Sequence, residues 1–149
     1  MIQALKRTFC LRVGGHAAYL YAMEKVVIPA LKRFNPDLIL VASGFDSGGM
    51  DPLSRILNDG NTFRAMTRMV KEAAEELCAG KLMVIHEGGY SAAHVPFCGL
   101  AVIEELAGID SGTGDPFQPI LAGMGGYELL PHHIEAVNVA AALLEKIPA

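Results

Sequence analysis

Two short apolar runs, LILVA at 38–42 and LMVIH at 82–86, stand out in the middle of the chain. Both are continuous rather than alternating, which is typical of parallel strands covered on both faces by helices. Between them, apolar residues recur at helical spacing over 63–77. The pattern therefore predicts a strand, a loop, a helix and a second strand of an α/β fold.

Capping signals define the ends of the helix between the two strands. Asp59 or Asn61 is suited to the N-cap, and Gly80 is suited to the turn that ends the helix. The sequence leaves the choice between the two caps open.

Helical periodicity also appears on either side of this unit. We expect a helix over 17–34 with a kink or an end at Pro29, a helix over 91–107 with an interrupted start, and a final helix over 132–147. The segment 110–126 is rich in Gly and Pro and predicts a long irregular loop.

Only two strands are convincing in 149 residues, and 52% of the residues are hydrophobic. A self-contained doubly wound domain of this length would show about five strands, because α/β units repeat about every 30 residues. No apolar run approaches the roughly 20 residues that span a bilayer. We therefore expect part of a larger α/β domain, or a chain that completes its sheet by association.

Charge and cysteine content exclude several classes of protein. The formal net charge of -4 argues against a surface that binds nucleic acid. Cys10, Cys78 and Cys98 are scattered and odd in number, which favours neither a disulfide framework nor a thiolate zinc site. The amino terminus does not resemble a secretory signal. These features predict a protein of the reducing cytoplasm without a membrane partner.

Asp46 and Tyr90 are the first candidates for chemistry. Each follows one of the two strands in a glycine-rich loop, and ligands collect at the carboxyl ends of parallel strands. Asp46 could be a metal ligand or a carboxylate that caps the next turn, whereas Asp51 before Pro52 is suited to a turn and cap. Tyr90 could equally be a packed tyrosine with a satisfied hydroxyl.

The histidines do not form a recognisable ligand motif. His86 ends an apolar strand and is expected to be a hydrogen-bonded core residue. His132 and His133 begin a helix and are expected at its surface. No Asp-x-His, His-x-His or His-Glu-x-x-His spacing occurs in the sequence.

Several motifs together resemble the class II histone deacetylase family. They are PDLILVASGFD at 36–46 with DPL at 51–53, EGGYS at 87–91, PFCGLAVIEEL at 96–106 and LAGMGG at 121–126. The last two are most similar to the bacterial branch, the histone-deacetylase-like and acetylpolyamine amidohydrolases. The resemblance covers 14–149 as the carboxy-terminal part of a deacetylase domain, and we expect 1–13 to be an unmatched amino-terminal segment.

The resemblance implies the carboxy-terminal half, with few parallel strands, of a three-layer α/β/α arginase-deacetylase fold. It also implies zinc-dependent hydrolysis of acetyl-lysine or acetylpolyamine amides. By motif position, Asp46 matches a zinc ligand and Tyr90 the tyrosine that hydrogen-bonds the oxyanion. Leu53 matches a wall of the acyl-lysine tunnel, and Gly88 and Gly89 match the substrate-binding loop.

Other parts of the family's site have no counterpart here. The family takes two zinc ligands from an upstream Asp-x-His motif, and its proton-transferring histidine pair is also upstream. His132 and His133 follow Tyr90 and do not match that pair. With one zinc ligand, we expect a truncated enzyme that is inactive alone. The alternative is a non-catalytic binding or regulatory half-domain that pairs with a larger partner, or with itself, through an exposed sheet edge.

Overall fold

A computed structural model describes residues 14–147 of the chain. The predicted unmatched segment 1–13 lies outside the described residues. The elements follow one another in the order α1 (His16–Ala22), a π-helical turn (Met23–Val27), α2 (Ile28–Phe34), β1 (Ile39–Ser43), α3 (Gly60–Cys78), β2 (Leu82–His86), α4 (Val95–Ala107), α5 (Gln118–Ala122), α6 (Pro131–Ala141) and a 3-10 turn (Leu144–Lys146).

The predicted strand–helix–strand unit is present at the centre of the molecule. Within the described residues, β1 and β2 form a two-stranded parallel sheet, in which Ile39 pairs with Leu82 and Ser43 pairs with His86. The helix α3 connects the two strands, and α4 packs against α3. The pairing brings the carboxyl ends of both strands to the same edge.

The two ends of α3 match the capping signals in the sequence. Asp59 is the N-cap, and its carboxylate accepts a hydrogen bond from the backbone N–H of Thr62 at 2.8 Å. The helix ends at Cys78, after which Ala79 and Gly80 both have positive φ angles, 53° and 75°. The N-cap is therefore Asp59 rather than Asn61, since its side chain satisfies a free amide of the first turn.

Two apolar clusters join α3 to the inner face of the sheet. The first contains Ile39, Val70, Ala74 and Cys78. The second contains Phe45, Phe63, Cys98 and Val102, where the rings of Phe45 and Phe63 meet edge to face at 5.1 Å. Because Phe45 directly precedes Asp46, the second cluster fixes the base of the loop that carries the candidate metal ligand.

The helices α3 and α4 are also joined by ion pairs. The guanidinium of Arg64 pairs with Glu104, which is fully buried, and Ser111 donates to the same carboxylate. Hydrogen bonds from Arg64 and then Ser111 lower the pKa of Glu104 to about 2. One turn away, Arg68 forms a two-pronged ion pair with Glu105, at 2.9 and 3.1 Å.

The expectation that both faces of the strands are covered is wrong for the described residues. Helices cover the face of Ile39 and Val41, whereas the opposite face is open. Its large apolar side chains are exposed: Leu38, Leu40, Met83 and Ile85. Continuous apolar strands require two covering layers, and the described chain supplies one.

The first helical region continues through Pro29 for five residues. Of the two alternatives expected at this proline, a kink or an end, the end is therefore wrong. A proline inside an α-helix removes one hydrogen bond and clashes with the carbonyl four residues earlier. Here the π-helical turn Met23–Val27 directly precedes Ile28–Phe34 and widens the helix at that place. Asn35, at φ 51°, ends the region.

The remaining helices differ from expectation mainly in extent. The helix after Tyr90 begins at Val95 rather than 91, because 92–94 form a turn. The predicted loop 110–126 contains the short helix Gln118–Ala122. The last α-helix stops at Ala141 and a 3-10 turn follows. Among the described helices, none combines the length and the apolar character needed to cross a membrane.

Candidate active site at the carboxyl edge of the sheet

The loops that follow β1 and β2 continue the pairing of the strands. The amide of Glu87 donates to the carbonyl of Ser43 at 3.2 Å, and the amide of Phe45 donates to the carbonyl of Gly88 at 2.7 Å. The two loops, 44–59 and 87–94, therefore start side by side. This arrangement puts Asp46 and the Gly88–Tyr90 segment at one edge of the sheet.

Asp46 is exposed, and within the described part of the chain its carboxylate has no hydrogen-bond partner. It lies against two glycines. A β-carbon at Gly88 would be 2.8 Å from Oδ2 of Asp46, and one at Gly44 would be 2.9 Å from Oδ1. Only glycine leaves this carboxylate its present position. Asp46 is thus not the cap of a turn, and its oxygens are available to a ligand.

Tyr90 and Leu53 also project from this edge into solvent. These residues are 60% and 74% exposed, respectively. The loop before Tyr90 depends on Gly89, whose φ is 134°. A β-carbon there would be 2.9 Å from Val95 and 3.0 Å from Phe45. The second loop therefore packs closely on the first while its tyrosine side chain remains exposed.

Asp51 connects the two loops, which the sequence did not reveal. Its buried carboxylate accepts the amide of Leu53 at 2.9 Å through Oδ1 and the amide of Tyr90 at 2.7 Å through Oδ2. The first bond is the predicted turn. The second spans 39 residues of chain, and no local signal could have indicated it.

Below the two loops, His94 and Asp115 form a buried pair. Nε2 of His94 lies 2.8 Å from Oδ2 of Asp115 and donates to it. The amides of Gly60 and Phe117 donate to the same carboxylate, at 2.8 and 2.9 Å. Burial opposes the charge of Asp115, but these hydrogen bonds outweigh it and lower the pKa of Asp115. The pair ties the start of α3 to the segment before α5.

Cys98 completes a group of three ligand-type residues with this pair. The nearest donor atoms of His94, Cys98 and Asp115 lie within 4.8 Å of one another, the one such group among residues 14–147. Burial raises the pKa of the Cys98 thiol to about 12, and Asp115 and Asp59 add to that shift. The Asp115 carboxylate already accepts three hydrogen bonds, which join α3, the start of α4 and the segment before α5.

A second buried network surrounds Asp59. Its Oδ1 accepts the hydroxyl of Thr62 at 2.7 Å, and its Oδ2 accepts the hydroxyl of Tyr127 at 2.7 Å. Nδ1 of His16 lies 3.0 Å from the Thr62 hydroxyl, and its ring stacks on Tyr127 at 5.2 Å. Burial and the bond to Asp59 raise the pKa of Tyr127 to about 12. This network holds α1, α3 and the segment before α6 together.

Two expectations about histidines are wrong. His86 is exposed rather than a core residue, and it packs against Phe45 with ring centres 5.1 Å apart. His133 is buried, 1% exposed, and its Nδ1 accepts the amide of Leu130 at 3.2 Å. His132 is exposed, as expected. Burial of these residues depends on which faces of β2 and α6 are covered, which a short sequence window does not encode.

Comparisons with known proteins agree with this architecture. The histone deacetylase domain family matches residues 10–106, so the match begins within the segment 1–13 that was expected to be unmatched. A histone deacetylase-like amidohydrolase of Pseudomonas aeruginosa is 57% identical over 108 residues, which are 72% of this chain and 28% of that protein. Histone deacetylase 8 of Arabidopsis thaliana is 36% identical over 90 residues, covering 60% of this chain and 24% of that protein.

Solved structures show the same similarity. The crystal structure of the HDA15 HD domain superposes with a TM-score of 0.71 at 25% identity, over 93% of this chain and 34% of that one. The structure of the histone deacetylase Clr3 gives a TM-score of 0.72 at 26% identity, over 92% of this chain and 21% of that one. The chain spans about a third or less of each of these relatives. Its α/β architecture is that of the arginase-deacetylase fold, and the chain belongs to the histone deacetylase family.

Proposed function

We propose that this chain supplies one side of the active site of a zinc-dependent deacetylase that hydrolyses acetyl-lysine or acetylpolyamine amides. The observation that carries the proposal is the exposed carboxylate of Asp46 beside Gly88, on the loop next to that of Tyr90, with no hydrogen-bond partner among residues 14–147. The buried free thiols of Cys78 and Cys98 suit a reducing compartment such as the cytoplasm.

The donor chemistry of Asp46 fits zinc, because a carboxylate oxygen with no other partner is a common zinc ligand. When bound, the metal would polarise the amide carbonyl and activate water. Tyr90 would donate its phenol hydrogen to the oxygen that becomes negative during hydrolysis. Leu53, together with the glycine backbone of Gly88 and Gly89, would form one wall of the channel for the acyl-lysine chain.

One carboxylate does not make a catalytic zinc site, which takes three protein ligands and an open position. The sequence contains no Asp-x-His motif. Within residues 14–147, Asp46 belongs to no group of three or more residues that could hold a metal ion. We therefore propose that the remaining ligands come from a further part of a deacetylase domain. The 149 residues alone should not hydrolyse an acetyl-lysine substrate above background, with or without added zinc.

A chimera tests this proposal directly. The segment of this chain that matches the Pseudomonas aeruginosa amidohydrolase would replace its counterpart in that protein, and a fluorogenic acetyl-lysine peptide would report hydrolysis. We expect zinc-dependent turnover by the chimera and none by the isolated chain. A folded chimera that retains zinc but has no activity would contradict the proposal, as would zinc-dependent turnover by the isolated chain.

A second function is favoured by one edge of β1, which pairs with no further strand among residues 14–147. It would make the chain a non-catalytic partner of a larger domain. A groove of about 430 Å³ is lined by the whole of β1 but only by Leu82 and Val84 of β2. Successive side chains of a strand point to opposite faces, so consecutive residues can line the same groove only where it runs along the edge of the strand. The groove therefore follows the free edge of β1, with Tyr19, Met23 and Val27 on its far side.

Hydrogen bonding identifies which residues of β1 face that groove. The amide of Ile39 donates to the carbonyl of Lys81, and the carbonyl of Ser43 accepts from Glu87. In a parallel pair, alternate residues bond to the same neighbour. The backbone groups of Leu40 and Ala42 therefore face away from β2. They are suited to pairing with an added strand.

Binding to the amino-terminal segment of the Pseudomonas aeruginosa relative tests this second function. The variant Ala42→Pro removes an outward N–H without removing a bond to β2, and Ala42→Ser keeps that N–H as a matched control. We expect Ala42→Pro to weaken binding at least about tenfold, because the added strand loses one backbone hydrogen bond and the proline ring crowds the place of that bond. Equal binding by both variants would exclude the β1 edge as the contact, and sedimentation of the chain alone would report self-association.

A further inference from the structure

The backbone of Tyr90 lies between the carbonyl of Gly88, which accepts the amide of Phe45, and the carbonyl of Ser91, which accepts the amide of Val95. The strand β2 ends at His86 and α4 begins at Val95. Gly88 and Gly89 lie between, and glycine leaves the backbone the widest conformational freedom. The side chain of Tyr90 is 60% exposed, so packing does not position it. Whatever aims this side chain must act through the backbone of residue 90.

Asp51 provides that constraint. Its Oδ2 accepts the amide of Tyr90 at 2.7 Å, while its Oδ1 accepts the amide of Leu53 at 2.9 Å. Asp51 is 6% exposed, so both bonds are shielded from water. Hydrogen bonds to a shielded carboxylate are about twice as strong as bonds between neutral groups.

A comparison with Asp110 separates the two bonds. Asp110 also accepts the amide two residues ahead, that of Gly112, at 2.8 Å, but it is exposed and reaches no other loop. The local turn therefore needs only one carboxylate oxygen. The second oxygen of Asp51 is used to connect the loop of Leu53 to the loop of Tyr90.

We propose that Asp51 is a positioning residue for the reaction, which sets the direction of Tyr90 relative to Leu53. The inference rests on the proposed role of Tyr90 as oxyanion donor. In this proposal the buried carboxylate of Asp51 fixes the distance between Leu53, in the tunnel wall, and the phenol of Tyr90, which would meet the substrate carbonyl. An aspartate is required because two amide donors face it, and asparagine would present an NH₂ group to one of them.

Amide hydrogen exchange in the isolated chain tests the contact without any activity. In Asp51→Ser, a hydroxyl can still cap the amide of Leu53 but cannot reach that of Tyr90. We expect exchange at Tyr90 to accelerate by about 10-fold to 100-fold, as for a lost bond to a charged group. Exchange at Leu53 should change less. Asp110→Ser is the matched control and should leave Tyr90 unchanged.

Unchanged exchange at Tyr90 in Asp51→Ser would overturn the proposal. If Asp51→Ser does not fold, as judged by exchange in α3, then Asp51→Thr serves as a second variant. It keeps a hydroxyl that can cap the amide of Leu53, fills more of the buried space and is still too short to reach the amide of Tyr90. The same acceleration at Tyr90 is expected.

Kinetics of the chimera test the consequence for the reaction. Asp51→Ser, which cannot reach the amide of Tyr90, should lower kcat by about 10-fold to 100-fold, with KM and zinc content little changed. In a Tyr90→Phe background the same substitution should cause almost no further loss, because the hydroxyl that it aims is already gone. A full additional loss in that background would overturn the positioning role. If Tyr90→Phe alone has no effect, the proposed function fails, whereas the exchange result on Asp51 stands independently.

Discussion

The carboxyl edge of the sheet has two layers, whose carboxylates differ in exposure and in hydrogen bonding. The rim comprises the exposed side chains of the two loops: Asp46, Leu53 and Tyr90. The buried layer comprises three carboxylates whose oxygens are occupied by hydrogen bonds: Asp51, Asp59 and Asp115. Asp46 and Asp51 are only five residues apart, yet one is unpaired among the described residues and the other joins two loops.

The difference separates two consequences of removing a carboxylate. A buried carboxylate that accepts two or more hydrogen bonds holds segments together, so its loss leaves donors without acceptors and costs stability. An exposed carboxylate with no partner adds little to stability. The position of the Asp46 carboxylate between Gly44 and Gly88 is instead suited to binding a ligand. Substitutions in each layer should therefore change different measurements.

The largest effect is expected for Asp46→Ala in the chimera. A zinc site reduced from three ligands to two loses its geometry, so we expect near-complete loss of bound zinc and hydrolysis at background. Metal analysis after gel filtration measures the zinc. Asp110→Ala, which removes an exposed carboxylate elsewhere, should retain the metal. Zinc content unchanged by Asp46→Ala would remove Asp46 from the ligand set.

The next effect is expected for Tyr90→Phe in the same chimera. The ring remains, but the donor aimed at the oxyanion is lost, which typically lowers turnover by about 100-fold to 1000-fold. Zinc content and KM should change little, since the substitution touches neither the metal ligand nor the channel wall. Turnover within about threefold of the parent would show that the phenol donates nothing in the rate-limiting step.

The sequence was sufficient for the elements whose signals are local. The capping residue Asp59, the stop at Gly80 and the parallel strands around α3 all follow from residues within a few positions of one another. The family resemblance, which rests on contiguous motifs, is confirmed by the match of the histone deacetylase domain family.

The sequence was insufficient where contacts join distant parts of the chain. The bond from Tyr90 to Asp51 spans 39 residues, and that from Gly60 to Asp115 spans 55. The prediction of which residues are buried failed for the same reason. His86 was expected in a core because its strand is apolar, yet its exposure depends on which layers cover the sheet. The roles of Asp46, Leu53 and Tyr90 remain predictions that the geometry is compatible with.

Stability sharpens the comparison in the buried layer. We expect Asp59→Ala to lower the free energy of unfolding of the isolated chain by about 2–3 kcal/mol, because it removes the cap of α3 and leaves the hydroxyl of Tyr127 without its acceptor. Urea unfolding measures the change. The matched variant Asp46→Ala should cost less than about 0.5 kcal/mol. A cost for Asp46→Ala as large as that for Asp59→Ala would erase the distinction between the two layers.

The last expected effect is an acid dependence of stability, through a buried carboxylate outside the edge. Hydrogen bonds from Arg64 and Ser111 lower the pKa of Glu104 from its ordinary 4.5 to about 2. The unfolded chain therefore binds this proton at a higher pH than the folded chain does. The resulting stability is present above about pH 4.5 and is lost as the pH falls towards about 2. Urea unfolding at several pH values should show that Glu104→Gln flattens this loss. Glu76→Gln is the control, because its pair with Lys32 is half exposed and such pairs contribute less than about 1 kcal/mol. An equal slope in the parent chain and in Glu104→Gln would mean that hydrogen bonding does not hold this buried carboxylate in its charged form.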